Sequence, residues 1–197
     1  MARIDVAPVT PETWTDFERL FEARGSPHYC WCAPYRFRDA HQMDAATKKA
    51  GMRRLVTGAT PIGVLAYVEG EPVGWCSVAP RETYVKLERS RVMPRKTPLE
   101  TPTWTVFCFF VKRSHRKQGV SRALLEGAIA YARSQGARIL EAYPFDTAGQ
   151  TATHRGHSSL FRAAGFEQQD DRRWALQLGR RRARAKDTSS PSPRHRG

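Results

Sequence analysis

The chain has 197 residues, a length that fits one domain better than two. Hydrophobic residues make up 40% of it and charged residues 26%. No apolar run approaches the ~18 residues that a membrane span needs, which excludes a membrane-embedded protein. The first residues have no apolar stretch behind Arg3, so we expect no secretory signal and a cytoplasmic location.

The chain is strongly basic. Its formal net charge is +14, from 33 Lys and Arg against 19 Asp and Glu. Residues 179–197 hold seven basic and one acidic residue, so +8 remains on residues 1–178. This excess favours an anionic partner such as nucleic acid, a phosphorylated cofactor or an acidic protein. A well-solvated arginine-rich surface is the other explanation.

The cysteines do not suggest a disulfide framework. They stand at positions 30, 32, 76 and 108, without a C-x-x-C pair. His28, Cys30 and Cys32 form an H-x-C-x-C cluster, but no second ligand pair follows to complete a tetrahedral zinc site. We therefore expect these residues to pack in the interior, and we predict no metal cofactor.

The first quarter of the chain predicts a strand and a helix. Ile4 and Val6 alternate with polar residues, as in a short strand. Thr10 and Pro11 are typical of a helix start, and Gly25 of a helix end. The apolar residues between them recur on one helical face: Trp14, Phe17, Leu20 and Phe21.

The middle of the chain predicts a helix and three strands. A weaker helix is expected over residues 44–57. Two apolar runs, residues 62–68 and 73–79, flank a short Gly/Pro turn and predict an antiparallel hairpin. Residues 81–102 contain three prolines, so no regular element is expected there. Residues 104–111 are apolar on both faces, as in a central strand.

The last third continues the alternation of helices and strands. Helical periodicity runs from residue 120 to a stop at Gly136, a short strand covers 139–143, and a shorter helix covers 158–164. Two strands follow and end near Leu178. The pattern predicts a mixed α/β domain over residues 1–178, followed by a disordered basic tail over residues 179–197.

The residues that carry chemistry lie between the central strand and the next helix. Lys112, Arg113, Arg116 and Lys117 precede that helix, whose N-terminus already carries about half a positive charge. Placing four more cations at this end of the helix is favourable if a phosphate binds there. Gly119 would let the backbone approach the phosphate, and unpaired N–H groups at the helix start would point at the phosphate. The alternative is a turn in which the glycine only forms a corner. Neither a Walker loop nor G-x-G-x-x-G is present.

This segment resembles the GNAT superfamily of acyl-CoA-dependent N-acyltransferases. The superfamily signature is [QR]-x-x-G-x-[GA] before an apolar helix, and residues 116–121 match it apart from Ser121 in the last place. Leu124 and Leu125 match the helix. LEAYPFD, residues 140–146, resembles the fifth strand of the family, and LFRAAGF, residues 160–166, resembles the end of a later helix.

The resemblance implies the fold and the cofactor. It implies an α/β (α+β) fold: a mixed, mostly antiparallel twisted sheet with splayed central strands and about four flanking helices. It implies acetyl-CoA as co-substrate, in a V-shaped cleft between the fourth and fifth strands. The implied cofactor-binding residues are Phe109, Phe110 and Val111 for the pantetheine arm, and Arg116, Lys117, Gln118, Gly119, Val120, Ser121 and Arg122 for the pyrophosphate.

The chemistry requires a neutral amine as nucleophile. An alkylamine with a pKa of ~10.4 is neutral in only about one molecule in 2,500 at pH 7, so a base or a water relay is valuable. Glu141 stands where similar N-terminal acetyltransferases keep a glutamate base, although it could equally be a strand glutamate paired with an arginine. Backbone N–H near Phe110 or Val111 would polarise the carbonyl.

The general acid is the point where the chain departs from the family. The usual tyrosine position holds Phe161, which cannot donate a proton. The thiolate could leave unassisted, or Tyr143, His154 or His157 could serve. Cys108 could accept the acyl group, but an apolar strand should raise the pKa of its thiol, so direct transfer is favoured.

The predicted acceptor is a primary amine of a small molecule or peptide. Candidate substrate residues are Tyr35, Glu82 and Tyr84. Aromatic residues with an arginine could bind an amine that also bears a carboxylate, whereas the basic charge disfavours a polycationic aminoglycoside. A nucleic-acid-binding module and an acyltransferase acting on aminoacyl-tRNA are the alternatives. A monomer or a homodimer is expected.

Overall fold

The computed structural model describes residues 3–146 and 154–179. Nearly all of the predicted tail therefore lies outside the described residues, as does the middle of the loop that follows the fifth strand. Within the described ranges, no helix is both long and apolar enough to cross a membrane.

A seven-stranded sheet forms the centre of the fold. The strand order is β1-β2-β3-β4-β5-β7-β6, and every neighbouring pair is antiparallel except β4 and β5. The strands are β1 (Ile4–Pro8), β2 (Val64–Val68), β3 (Glu71–Pro80), β4 (Thr103–Val111), β5 (Ile139–Ala142), β6 (Glu167–Gln168) and β7 (Trp174–Gln177). This arrangement confirms the predicted mixed, mostly antiparallel sheet.

Four helices lie close to their predicted positions. They are α1 (Trp14–Glu22), α2 (Ala45–Thr57), α4 (Val120–Ser134) and α5 (Ser158–Ala163). The start of α1 was predicted wrongly, at Pro11 instead of Trp14. Thr13 Oγ1 accepts the Thr10 N–H at 2.9 Å and donates to the Pro8 carbonyl at 3.0 Å. These bonds hold residues 10–13 in a turn ahead of the helix.

The prediction that residues 81–102 contain no regular element was also wrong. A 3₁₀ turn, Arg81–Thr83, leads into a single-turn helix, α3 (Val85–Glu88). Both end before Pro94, the first proline of the segment. Arg81 and Leu87 are fully buried, so tertiary contacts anchor this short element.

The two faces of the sheet carry different helices. On one face, α4 and α5 pack on the main core, which includes Leu124 and Phe161. A Cβ on Gly127 of α4 would lie 2.4 Å from Val6, so only glycine allows α4 this close to β1. On the opposite face, α1 and α2 cover Trp75 and Phe110 with a second, aromatic-rich core.

The central strands β4 and β5 diverge, as predicted. They pair only where residues 103–106 face residues 139–142, and β4 continues for five residues beyond. A bulge at Phe107 accompanies the divergence, because Ser77 pairs with Cys108 while Val78 pairs with Val106. The free edge of β4 therefore lines a cleft next to the start of α4.

Candidate active site

The start of α4 is an open helix N-terminus. Gly119 precedes it in the left-handed conformation, with φ of +86°. Apart from its chain neighbours, no described residue has an atom within 4 Å of the position that a Cβ would take. The first helical bond runs from the Ala123 N–H to the Gly119 carbonyl, so the N–H groups of residues 120–122 have no acceptor within the helix. A diphosphate could approach this backbone closely.

Cations without acidic partners surround this helix start. They are Lys112, Arg113, Arg116, Lys117 and Arg122. No carboxylate of residues 3–146 or 154–179 lies within 4.0 Å of them. Arg116 Nε donates to the Val111 carbonyl at 3.2 Å, and Gln118 Nε2 to the Ser114 carbonyl at 2.9 Å. The positive charge therefore remains available to an anion.

The edge of β4 presents its residues alternately to the cleft and to β3. The Lys112 N–H bonds to Val73 of β3, so Phe110 also directs its backbone to β3, while Phe109 and Val111 direct theirs to the cleft. The Phe109 N–H donates to the His154 carbonyl. The Phe109 carbonyl accepts only a long contact from Cys108 Sγ, at 3.9 Å, so it and the Val111 N–H can pair with a pantetheine arm. The backbone of Phe110, predicted to take part, faces away.

This edge and the helix start share one groove. A cavity of about 410 Å³, the cofactor groove, is lined by Phe109, Phe110, Val111, Arg116, Ser121, His154 and residues of the loop after α1. Of the ten predicted cofactor-binding residues, Phe109, Phe110, Val111, Arg116 and Ser121 line this groove. Arg122 instead lines a neighbouring cavity of about 710 Å³, which Phe109 and Ser121 share.

A smaller cavity lies beside the bulge. This aromatic cavity, of about 70 Å³, is lined by Cys30, Cys32, Pro34, Tyr35, Ser77, Tyr84, Phe107, Cys108 and His154, none of which is acidic. Of the predicted substrate residues, Tyr35 and Tyr84 line it. Glu82 does not: its side chain is 69% exposed and lies 3.9 Å from Arg95. His154 lines both the aromatic cavity and the cofactor groove.

A buried arginine lies beneath the aromatic cavity. Arg36 is 2% exposed, and its Nη2 donates to Ser77 Oγ and Tyr84 OH, each at 3.1 Å, and to the Ile62 carbonyl at 2.6 Å. Its guanidinium lies 4.3 Å from the centre of the Tyr84 ring. In the described part of the chain, Arg36 has no carboxylate partner, and its Nε has no hydrogen-bond partner.

Three of the cysteines, Cys30, Cys32 and Cys108, line the aromatic cavity. Trp75 Nε1 donates to Cys32 Sγ at 3.2 Å. A hydrogen bond from Cys108, then those from Trp75 and the charge of Arg36, lower the pKa of Cys32. The same contact with Cys32, followed by burial, raises the pKa of Cys108, in line with direct transfer. Among the described residues, no three His, Cys, Asp or Glu side chains are grouped as metal ligands.

The predicted catalytic pair lies in a buried ion-pair network. Glu141 Oε2 accepts from Arg81 Nη1 at 3.1 Å and from Tyr143 OH at 3.0 Å, and its Oε1 lies 3.3 Å from Arg173 Nη1. Glu141 and Arg81 have no exposed surface, and burial raises the pKa of Tyr143. This is the arginine-paired alternative of the sequence analysis. The base role of Glu141 stays a prediction.

Of the remaining proton-transfer candidates, His154 has the most suitable position. Phe161 is fully buried against Phe109 and Phe166, and the exposed His157 lies 3.6 Å from Asp146. His154 alone lines both cavities. Partial burial, then the charge of Arg155, lower the pKa of His154, which favours the neutral imidazole at pH 7.

Comparison with known proteins agrees with this geometry. Residues 12–156 match the model of the Acetyltransferase (GNAT) family. The chain therefore belongs to the GNAT family, the acetyl-CoA-dependent acyltransferases that the resemblance predicted. No curated protein sequence matches the chain.

Solved structures share the fold at low sequence identity. An aminoglycoside N-acetyltransferase, AAC(6')-Iy in complex with CoA, superposes with a TM-score of 0.56 at 14% identity, covering 93% of this chain and 97% of that one. An N-acetyltransferase from Staphylococcus aureus gives 0.53 at 14%, covering 90% and 100%. The yncA protein from Salmonella typhimurium, solved with acetyl-CoA as its cofactor, gives 0.52 at 13%, covering 91% and 96%.

Proposed function

We propose that this enzyme transfers an acetyl group from acetyl-CoA to a primary amine of a small molecule or peptide by direct attack of the amine. The observation that carries the proposal is the group of cations around the open start of α4, beside the edge of β4, which have no acidic partner in the part of the chain that the structure describes. Such a surface suits a diphosphate attached to an extended, hydrogen-bonding arm. Acetyl-CoA has this form, and when bound it supplies the activated acetyl thioester.

The binding roles follow from the directions of the backbone groups. The N–H groups of residues 120–122 hold the diphosphate, with Arg116, Lys117 and Arg122 adding charge. The Phe109 carbonyl pairs with the arm, which leaves the Val111 N–H for the thioester carbonyl. Of the two N–H donors proposed for the thioester carbonyl, only that of Val111 faces the cleft, so it is the better candidate for stabilising negative charge there.

The aromatic cavity is the proposed acceptor site, and His154 is the proposed proton acceptor. His154 lines this cavity as well as the cofactor groove, so its imidazole could take the proton of an amine that attacks across the boundary. Glu141 and Tyr143 then act through structure, since they fasten residues 81–93 to β5.

The decisive experiment is an acetyl-CoA-dependent thiol-release assay over amino acids, peptides, polyamines, amine antibiotics and aminoacyl-tRNA, with mass spectrometry of the products. We expect release that depends on an amine, together with a product heavier by one acetyl group. No release with any amine, combined with salt-sensitive binding of RNA or DNA, would favour the nucleic-acid-binding alternative that the net charge of +14 allows.

A further inference from the structure

We infer that Cys32 and Cys108 form a redox-active thiol pair, which a hydroperoxide joins in a disulfide that narrows the aromatic cavity. The pairing of the two thiols does not depend on the proposed function. Its effect on turnover rests on that function, because the aromatic cavity is the proposed acceptor site.

The fold brings the two thiols into contact at the wall of this cavity. Cys32 lies in the loop between α1 and α2, and Cys108 lies on β4, next to the bulge at Phe107. The Cys108 thiol donates a hydrogen bond to Cys32 Sγ, and both side chains line the cavity. Disulfide geometry tolerates little backbone movement, so thiols already in hydrogen-bond contact are well placed to form one.

The loop holds Cys32 in this position. Trp31 and Cys32 both have a left-handed backbone, with φ of +50° and +54°. At residues other than glycine this conformation is unfavourable and persists only where the surrounding structure fixes it. Here the buried Trp31 packs on Phe21, with ring centres 5.3 Å apart, and Trp75 Nε1 donates to Cys32 Sγ at 3.2 Å. The contact between Cys32 and Cys108 is therefore fixed by packing.

The four cysteines differ in reactivity. A hydroperoxide reacts best with a thiolate that lies beside a second thiol. Cys32 has this environment, because hydrogen bonds from Cys108 and Trp75 lower its pKa. By contrast, burial and the charge of Cys32 raise the pKa of Cys30 to about 11. Cys76 lies in the main core, on the opposite face of the sheet. We therefore expect Cys32 to react first and Cys108 to complete the disulfide.

The oxidation takes two steps. The Cys32 thiolate attacks one oxygen of hydrogen peroxide and the O–O bond breaks, which gives a sulfenic acid and a hydroxide that takes up the proton lost by Cys32. The Cys108 sulfur then attacks the Cys32 sulfur, the S–O bond breaks, and the hydroxyl leaves as water with the Cys108 proton. Two electrons thus pass from the thiols to the peroxide. The cavity, of about 70 Å³, has room for the oxidant, since a single water needs only about 10–15 Å³.

The disulfide changes the acceptor site. Its two sulfur atoms lie about 2.0 Å apart, closer than two hydrogen-bonded thiols, so the loop that carries Cys32 must move toward β4. Pro34 and Tyr35 follow Cys32 in this loop and line the same cavity. A displacement of ~1 Å in a site can cost about 10²-fold in rate. Oxidation should therefore slow transfer to an amine, and reduction with dithiothreitol should restore it.

Peptide mapping of the oxidised protein tests the pair. The reduced chain is treated with hydrogen peroxide, its remaining thiols are blocked with iodoacetamide, and it is digested with trypsin without reduction. We expect two of the four thiols to be lost and the peptide 25–36 to be joined to the peptide 97–112. Cys32→Ala and Cys108→Ala should each abolish the joined peptide. In the wild type, kcat/KM for an amine should fall at least about tenfold on oxidation.

Cys30→Ala and Cys76→Ala are the matched controls, and both should keep the joined peptide. Cys30 lies on the same tryptic peptide as Cys32, so its variant assigns the bridge to one of the two. Cys76→Ala removes a buried thiol of the opposite core. A wild type that stays reduced, that is oxidised without a bridge, or that forms the bridge through Cys30 would overturn the inference.

Activity separates the pair from its effect. A bridge that leaves the turnover of amines unchanged would overturn the narrowing of the acceptor site. If no amine is acetylated at all, the proposed function fails, while the peptide map still decides whether Cys32 and Cys108 are a pair.

Discussion

Two pairs of arginines, each with one buried and one partly buried member, differ in how their charge is balanced. Arg81 and Arg173 share the carboxylate of Glu141, and Arg81 also lies 3.0 Å from Glu88. Arg36 and Arg155 contact hydroxyl groups, a thioether and aromatic rings, with no carboxylate within reach in the described ranges. Burying a charge is costly unless it is paired. The first set can therefore be explained by the fold alone, whereas the second set suggests a partner outside the chain.

The start of α4 belongs with the second set. Its cations add to the positive end of a helix, which is unfavourable for the isolated protein. A substitution in the ion-pair network of Glu141 should therefore lower the stability of the fold. A substitution at the α4 start or around the aromatic cavity should instead affect binding or turnover.

Arg81→Leu should have the largest effect on the fold. It leaves the buried Glu141 with one arginine and removes a hydrogen bond to the Met93 carbonyl. We expect a loss of about 3–5 kcal/mol in the free energy of unfolding, measured by urea denaturation. The double variant Arg81→Leu/Glu141→Leu should lose less, because no buried charge is left unpaired. A single-variant loss below about 1 kcal/mol would show that the network does not hold this region together.

His154→Gln should have the next largest effect, on turnover rather than stability. Removing a general base costs about 10²–10⁴-fold in rate. In the wild type, kcat/KM should rise with pH as His154 loses its proton, below the usual pH of ~6.5 because its pKa is lowered. Arg155→Met removes a nearby positive charge, so it should shift this rise to higher pH.

The matched comparison is Glu141→Gln. If Glu141 is the base, Glu141→Gln loses turnover while His154→Gln keeps it. If His154 is the base, His154→Gln has a lower kcat/KM at pH 5 to 9, whereas Glu141→Gln keeps its turnover and mainly loses stability. The two residues predicted to move protons are thus distinguished by one pH series.

Arg122→Gln should have the smallest effect. Arg122 is an exposed member of the α4 cluster, so its contribution to cofactor affinity is screened by salt. We expect acetyl-CoA affinity to fall about two- to fivefold at low ionic strength, with a smaller difference at high salt, by calorimetry. Arg133→Gln, in the last turn of the same helix, should leave the affinity unchanged. An equal loss in both variants would indicate a general effect of charge.

The sequence predicted the fold well because its elements carry local signals. Apolar periodicity defined α1 and α4, two apolar runs and a turn defined the β2–β3 hairpin, and the motif around Gly119 located the start of α4. The errors arose where tertiary contacts decide. Thr13 delays the start of α1 through a bond to Pro8, and buried Arg81 anchors a short helix within a proline-containing segment.

The cofactor side was easier to predict than the acceptor side for the same reason. The predicted cofactor-binding residues lie close together in sequence, over positions 109–122, although half of the lining of the cofactor groove comes from residues 25–29 and His154. The aromatic cavity brings together Tyr35, Phe107 and His154 from distant segments, and Arg155 reaches Tyr35 across 120 positions. No local pattern marks such contacts. Nor does any local pattern show that the carboxylate of Glu141 is already paired.

The central claim is that the open start of α4 binds acetyl-CoA, and calorimetric titration of acetyl-CoA into Gly119→Glu tests it most directly. Gly136→Glu is the matched control, since Gly136 has a similar φ of +84° and equal free space at the other end of α4. We predict that the wild type and Gly136→Glu bind alike, and that folded Gly119→Glu shows no binding. Unchanged affinity in Gly119→Glu would contradict the account.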